Sequence, residues 1–267
     1  MLEMVILGLV QGLTEFLPVS STAHLLFAEA FLGIARPGIL LEAVLHLGTA
    51  AAAIILFWPD IRRLLTGWWA TLRRLPEPDS ARGYGRLAWL IILISVITAA
   101  VGLALADPFE QMFGSVRGTA VQLVATGLIL LAARGREQRA MTETTAVDAV
   151  GVGVAQAVSI IPGISRSGST IAAGLWLGLR RDDAARLSFL AAIPAVTGAG
   201  MFGLKDLGLG ASLGYTAAQL LVGFVVSLLS GALAIRWLLA IVRRGQLRWF
   251  AAYCIAAGGA VLISVGR

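Results

Sequence analysis

Charge is what this sequence has least of. Only 13% of its residues are Asp, Glu, Lys or Arg, 58% are apolar, and the mean hydropathy is +0.86. A soluble domain carries roughly 25% charged residues. A chain so poor in charge cannot cover a water-facing surface, so lipid is its expected solvent. Cysteine is nearly absent as well. Cys254 stands alone in an apolar run, which excludes an intrachain disulfide and a thiolate metal cluster and leaves plain packing as its role. The first residues, Met-Leu-Glu, carry no basic stretch and no small-residue cleavage signal. They read as mature sequence and not as a removed signal peptide. The net charge of +6 does not signal nucleic acid. The arginines sit in short loops between apolar runs, as topology determinants do, and form no basic groove.

What is present is apolar runs. A length of 267 residues suits one soluble domain or a membrane bundle, and composition selects the bundle. Six runs are long enough to span a bilayer, or nearly so: 39–58, 87–106, 118–133, 187–204, 215–235 and 248–265. A span needs about 20 residues, and the third run is the weakest. Four runs are too short: 4–17, 21–34, 147–161 and 168–179. Each short pair flanks a breaker, Pro18-Val19-Ser20-Ser21 in one case and Pro162 to Gly168 in the other. Proline stops a helix and glycine permits a tight reversal. Short apolar runs around a breaker suit re-entrant hairpins, which are tolerated at membrane depth only inside protein or beside a watery cavity.

The expected fold is therefore an all-α membrane protein in one domain over 1–267, with one repeat over about 1–133 and a second over about 147–267. Each half is a re-entrant hairpin followed by three transmembrane helices. Gln11-Gly12-Leu13-Thr14 before Pro18 matches Gln156-Ala157-Val158-Ser159 before Pro162. A hairpin returns to its own side and three spans cross an odd number of times, so the second repeat starts on the opposite face. Inverted repeats of this kind place ligands near the midplane, at half-helix ends. The cations give an orientation. Arg36, Arg117, Lys205 and Arg267 fall on the N-terminal side, sixteen others fall opposite, and Arg166 is left over. The arginine-rich side is expected to be cytoplasmic and both termini to lie outside. The 59–86 stretch, with Trp68 and Trp69 among arginines, reads as a cytoplasmic amphipathic segment anchored at the interface.

Arg166 carries the most information. It sits at the tip of the second hairpin, where a charge is costly and marks function. Ser165, Ser167 and Thr170 surround it, with Gly163 and Gly168 beside them. Glycines let backbone N–H groups approach an anion, a helix N-terminus supplies unpaired donors, and the guanidinium fork matches phosphate oxygens. The set reads as a phosphate clamp. The plainer alternative is a structural Arg paired with a buried carboxylate such as Glu15. The first hairpin supplies the complement. Gln11 and Glu15 are four apart and share a helical face. Ser20, Ser21 and Thr22 follow the Pro18 break, and His24 lies three past Ser21. Ser20 could simply cap the second half-helix, and a lone His could be a satisfied core residue. Together they offer a nucleophile, a base and a carboxylate able to hold a divalent cation. Glu42 and His46, also four apart, are expected to line the pocket mouth or to orient the hairpin.

At this point QGLTEFLPVSSTAH (Gln11 to His24) and PGISRSGST (Pro162 to Thr170) resemble the two signature segments of the undecaprenyl-diphosphate phosphatase family linked to bacitracin resistance. The order of the segments and the flanking spans match too. The resemblance implies removal of one phosphate from undecaprenyl diphosphate, which recycles the lipid carrier of envelope polymers. It places the family's acidic pair on Gln11 and Glu15, its serine on Ser21, its histidine on His24 and its arginine on Arg166. With an amide at Gln11, Glu15 is left as the single essential acid of the first hairpin. The expected site has Arg166, Ser20, Thr22, Ser165, Ser167 and Thr170 on the diphosphate, and Glu15 with Gln11 on a divalent cation, Mg2+ or Ca2+. Ser21 is the expected nucleophile, with His24 moving its proton; attack by His24 or by water stays open. The expected location is the bacterial cytoplasmic (inner) membrane, with the site open to its outer side. The expected partners are the polyprenyl diphosphate substrate, membrane lipid and, in a homodimer, a second copy. The competing class is a polyprenyl-phosphate flippase or transporter, which needs the clamp but no nucleophile.

Overall fold

A computed structural model describes residues 1–33, 38–112, 114–135, 138–204 and 215–265. Of the cations counted above, Arg36, Arg136, Lys205 and Arg267 lie outside the described residues. The described residues form an all-helical fold. In order, the helices are α1 (Leu2–Phe16), α2 (Ser21–Leu32), α3 (Gly38–Leu56), α4 (Trp58–Arg73), α5 (Tyr84–Ala104), α6 (Ala106–Met112), α7 (Val116–Ala132), α8 (Ala146–Val158), α9 (Arg166–Trp176), α10 (Arg181–Gly203), α11 (Ala217–Arg243) and α12 (Leu247–Val265).

Local chemistry sets the breaks. α1 stops at Leu17, whose extended backbone (ψ 142°) is what a following proline demands. α2 and α9 start on serine caps: the Ser20 hydroxyl accepts from Ala23 N at 3.4 Å and the Ser165 hydroxyl from Gly168 N at 3.1 Å. α8 opens on a capping box in which Thr145 and Asp148 bond reciprocally. Among the described residues, four helices are long and apolar enough to cross a membrane, and the count is five if the bent pair Leu40–Leu56 and Trp58–Arg73 is one span. α7, at 17 residues, falls short of that test, as the weakness of its apolar run foretells. The 59–86 stretch contains the amphipathic helix α4, turned 77° from α3. Arg73 lies 4.6 Å over the Trp69 ring there.

The outward surface is apolar. Leu103 is 82% exposed, Ile263 66% and Leu233 63%, which water would punish and lipid does not. Lipid tails are as apolar as leucine, so packing and polar contacts hold such a bundle together more than solvent exclusion does. α1 lies along α11 and α8 along α5, while α3 packs on both α10 and α11 and α7 packs on α12. Close approach explains the small residues at these seams. A Cβ on Gly12 would sit 1.9 Å from Ser230 Oγ and 2.6 Å from the Ser227 carbonyl oxygen of α11. At the centre, Phe189 of α10 meets Phe16 edge-on at 5.5 Å and Phe57 at 5.4 Å. One end of the bundle is tied by ion pairs: Arg186 to Asp60 at 2.5 Å, Arg243 to Asp182 at 2.7 Å and Arg139 to Asp148 at 2.9 Å.

Candidate active site

The two serine-capped breaks come together. Ser167 Oγ, in the first turn of α9, donates to the Leu17 carbonyl at the end of α1 at 3.1 Å. The Cys254 thiol of α12 lies 3.5 Å from the Pro18 carbonyl. Between the breaks lies a cavity of about 320 Å3. Its polar wall includes Glu15, Ser20, Ser21, Thr22, Ser165 and Arg166, and its apolar side Ile160, Ile164, Ala195 and Val196. A polar floor under an apolar throat suits an amphiphile whose head enters first.

Glu15 is the hub. It is 7% exposed, and its Oε1 accepts from the Arg166 guanidinium at 2.6 Å. Its Oε2 accepts from Ser21 Oγ at 2.7 Å and from Gln11 Nε2 at 2.9 Å. A buried carboxylate survives only when paired and hydrogen-bonded, and here two helix pairs meet that need. The pairing of Arg166 with Glu15 is the plainer alternative of the sequence reading. It does not retire Arg166 from binding, since both partners line the cavity. Ser21 and Arg166 also occupy the same place in their elements, the first residue of α2 and of α9 after a serine cap. The candidate nucleophile and the candidate clamp thus face each other across Glu15 from equivalent helix starts, where N–H groups stand unpaired.

Ser20 holds a left-handed backbone (φ 67°). Such a conformation in a non-glycine residue costs of order 1 kcal/mol or more and gathers at functional sites. It swings Ser21 out of the line of α1 and back onto Glu15, one turn after Gln11.

Not every expected residue joins. His24 is absent from the cavity wall. Its Nδ1 lies 2.8 Å from the Ser20 carbonyl, so that nitrogen carries the proton and donates. Its Nε2 then accepts from the Tyr253 hydroxyl at 2.7 Å, with the two rings stacked at 5.6 Å. With both nitrogens engaged away from Ser21, the structure does not bring His24 to the hydroxyl whose proton it was expected to move. Ser21 and His24 are three apart in α2, close to one turn, but Ser21 is bonded to Glu15 of α1 and His24 to Tyr253 of α12. Ser167 and Thr170 are likewise turned from the cavity. Ser167 is spent on Leu17, and Thr170 bonds the Arg166 carbonyl at 2.8 Å and Ser188 Oγ at 2.6 Å. They hold the start of α9 in place.

One residue gains. His46 lines the cavity with its Nε2 3.8 Å from Glu15 Oε2. Its Nδ1 donates to the Glu42 carbonyl at 2.8 Å, which turns Nε2 toward the site. The signal in the sequence was the spacing Glu42–His46, but the contact across to α1 has no local signature. Thr14, Thr98, Gln156 and Ser159 complete the polar wall. Gln156, the counterpart of Gln11, donates to Thr98 Oγ1 at 3.1 Å.

Whether these residues suit a divalent cation rests on oxygen donors. Among the described residues no three His, Cys, Asp or Glu side chains converge, so the protein offers no closed cage. It offers the Glu15 carboxylate and, buried without a partner, Gln11 Oε1. Magnesium is commonly held by one or two carboxylates plus substrate phosphates and water, and this donor set fits that pattern.

A family model described as bacitracin resistance protein BacA matches residues 4–260. Among curated relatives, the undecaprenyl-diphosphatase of Arthrobacter sp. (strain FB24) is 43% identical over 277 residues, covering 99% of this chain and 93% of that protein. The undecaprenyl-diphosphatase of Desulfatibacillum aliphaticivorans is 39% identical over 272 residues, covering 98% of each. That of Myxococcus xanthus (strain DK1622) is 43% identical over 265 residues, covering 98% of this chain and 88% of that protein.

Proposed function

This chain belongs to the bacitracin resistance protein BacA family, and from that premise we propose a mechanism and a topology for it. It is a multi-pass membrane enzyme that hydrolyses undecaprenyl diphosphate to undecaprenyl phosphate and phosphate, the reaction its relatives are named for. The flippase reading is not favoured, since a transporter needs no hydroxyl held against a carboxylate.

The observation that carries the mechanism is the bridge through Glu15: Ser21 on one oxygen and Arg166 on the other. Without substrate, Arg166 and Glu15 neutralise each other inside the apolar bundle. An arriving diphosphate offers Arg166 oxygens matched to its fork, and Glu15 is freed to act as a base. Ser21 Oγ passes its proton to Glu15 and attacks the terminal phosphorus. The bond from that phosphorus to the bridging oxygen breaks, and undecaprenyl phosphate leaves. Water then attacks the phosphoserine, the phosphorus–Oγ bond breaks, Ser21 Oγ takes back the proton held by Glu15, and phosphate is released. His46, 3.8 Å from Glu15, is placed to take the proton of that water. Unpaired N–H groups at the starts of α2 and α9, with Ser165 and Thr22, hold the phosphate oxygens. A divalent cation, magnesium or calcium, would be held by Glu15 and Gln11 Oε1. When bound it supplies charge neutralisation to the diphosphate.

The same reading makes α1–α2 and α8–α9 re-entrant pairs of an inverted repeat in a single domain. Two things support it: α1 lies on α11 of the other half as α8 lies on α5, and both second half-helices start on a capping serine. The ion-paired, arginine-rich end is placed in the cytoplasm and the cavity opens to the outer face of the inner membrane. The prenyl chain leaves through the apolar throat into lipid. Phosphate release by the purified protein from undecaprenyl diphosphate tests the activity. One phosphate per lipid is expected. Tight binding of the lipid with no release, in the presence of either cation, would sink the hydrolase.

A further inference from the structure

Away from the active site, the arginine-rich end holds a second polar cavity of about 410 Å3 between α7, α9, α10 and α12. Its wall carries three arginines: Arg134 just after α7, Arg181 at the start of α10 and Arg248 in α12. The rest of the wall is aliphatic, with Leu130, Leu175 and Leu247. Two exposed tryptophans flank it. Trp176 hangs its indole on the Ala132 carbonyl at 2.8 Å, and Trp249 lies under the Arg248 guanidinium at 5.7 Å. Exposed tryptophans mark the level of lipid headgroups.

This cavity continues into an apolar path. Arg134 and Gly135 also line an adjoining hollow that reaches Trp176 and Leu177. Trp176 and Leu177 in turn begin a groove of about 360 Å3 whose wall is almost wholly apolar, between α7, α8 and α9 and including Ile129, Val154 and Val158. Head cavity, interfacial tryptophan and hydrocarbon groove follow one another as the parts of a phospholipid do.

We propose that Arg134, Arg181 and Arg248 form a binding site for the phosphate headgroup of an anionic phospholipid of the leaflet at the arginine-rich end, with one acyl chain in the groove between α7, α8 and α9. Basic pockets between transmembrane helices recognise anionic headgroups in this way. The aliphatic wall selects a lipid over a free ion, because inorganic phosphate has nothing to place against Leu130 and Leu247. The occupant seals the foot of the α8–α9 pair whose tip carries Arg166.

The test is native mass spectrometry of the full detergent-solubilised chain with dioleoylphosphatidylglycerol, dioleoylphosphatidylcholine or inorganic phosphate. The wild type is expected to retain phosphatidylglycerol over phosphatidylcholine. The double variant Arg134→Gln, Arg248→Gln is expected to retain roughly tenfold less phosphatidylglycerol, and phosphatidylcholine no less than before. Both side chains are exposed, so the variant folds. Val154→Trp, which fills the groove, is expected to lower retention of the dioleoyl lipid as well. Equal retention of the two lipids by the wild type overturns the site, as does undiminished phosphatidylglycerol in the double variant. Displacement of the lipid by inorganic phosphate would reassign the arginines to a free anion, and full retention in Val154→Trp would remove the acyl groove. None of these readouts uses turnover, so a failed lipid site and a failed hydrolase reading are separable.

Discussion

At the level of single side chains, the proposed chemistry turns on Glu15. It touches the clamp, the hydroxyl and the amide, and each contact can be removed alone. Glu15→Gln keeps the shape but not the charge or the basicity. A loss of turnover of roughly 10³-fold is expected, measured as phosphate release, and near-normal release would end its role as base. Ser21→Ala should lose turnover by a similar or larger factor while still binding the lipid, because Arg166 remains. Full activity there would hand the attack to water or to His24. Arg166→Lys keeps a positive charge but loses the fork. A drop of roughly 100-fold is expected, and Arg166→Ala should be worse. A near-normal lysine variant would mean that Arg166 is a counter-charge for Glu15 and not a clamp. Gln11→Glu should be tolerated, since a carboxylate can replace the amide oxygen toward a cation. A dead variant would show a site rebuilt around the amide. The two histidines separate by position. His46→Ala should weaken turnover, since its Nε2 faces Glu15 at 3.8 Å. His24→Ala should also cost turnover, and Tyr253→Phe should copy it if His24 acts through the Tyr253 contact that seats α2. Tyr253→Phe at full activity beside a dead His24→Ala would return His24 to the chemistry.

At the level of elements, the breaks were the most legible part of the chain. Pro18 and Pro162 stop helices by local sterics, and Ser20 and Ser165 restart them by local capping. Such effects reach only a few residues and so can be read from a string. The fate of His24, Ser167 and Thr170 could not be, because it depends on which distant helix meets each face. Tyr253 lies 229 residues from His24 and Ser188 lies 18 from Thr170. The same limit hid His46, whose contact with Glu15 spans α3 and α1. Seams between elements are testable through glycine. Gly12→Ala must push α1 off the α11 backbone and should cost about 1–3 kcal/mol, seen as a lowered midpoint of thermal unfolding in detergent. Gly259→Ala in α12 meets nothing within 4 Å and should not lower the midpoint. If the two variants melted together, the α1–α11 contact would not be the close seam described above.

At the scale of the whole molecule, composition foresaw lipid as solvent, and the exposed leucines agree with it. Orientation is a different kind of statement, because a bundle has the same internal contacts either way up. It rests on the asymmetry of cations, with the ends of α4, α11 and α7 and the starts of α5, α10 and α12 gathering arginine at one side. That side is also where the ion pairs between Asp60 and Arg186 and between Asp182 and Arg243 close the bundle. Translocating so many arginines is disfavoured, so this end should stay in the cytoplasm. Cys254 is fully buried, so single cysteines placed elsewhere can be read against a quiet background. Ser80→Cys lies in the exposed stretch between α4 and α5, and Ala217→Cys at the exposed start of α11. An impermeant maleimide should label Ala217→Cys in intact cells and Ser80→Cys only after lysis. The reverse pattern would invert the protein. It would also turn the cavity holding Glu15, Ser21 and Arg166 toward the cytoplasm, and the lipid diphosphate would then have to be hydrolysed in the inner leaflet and not in the outer one.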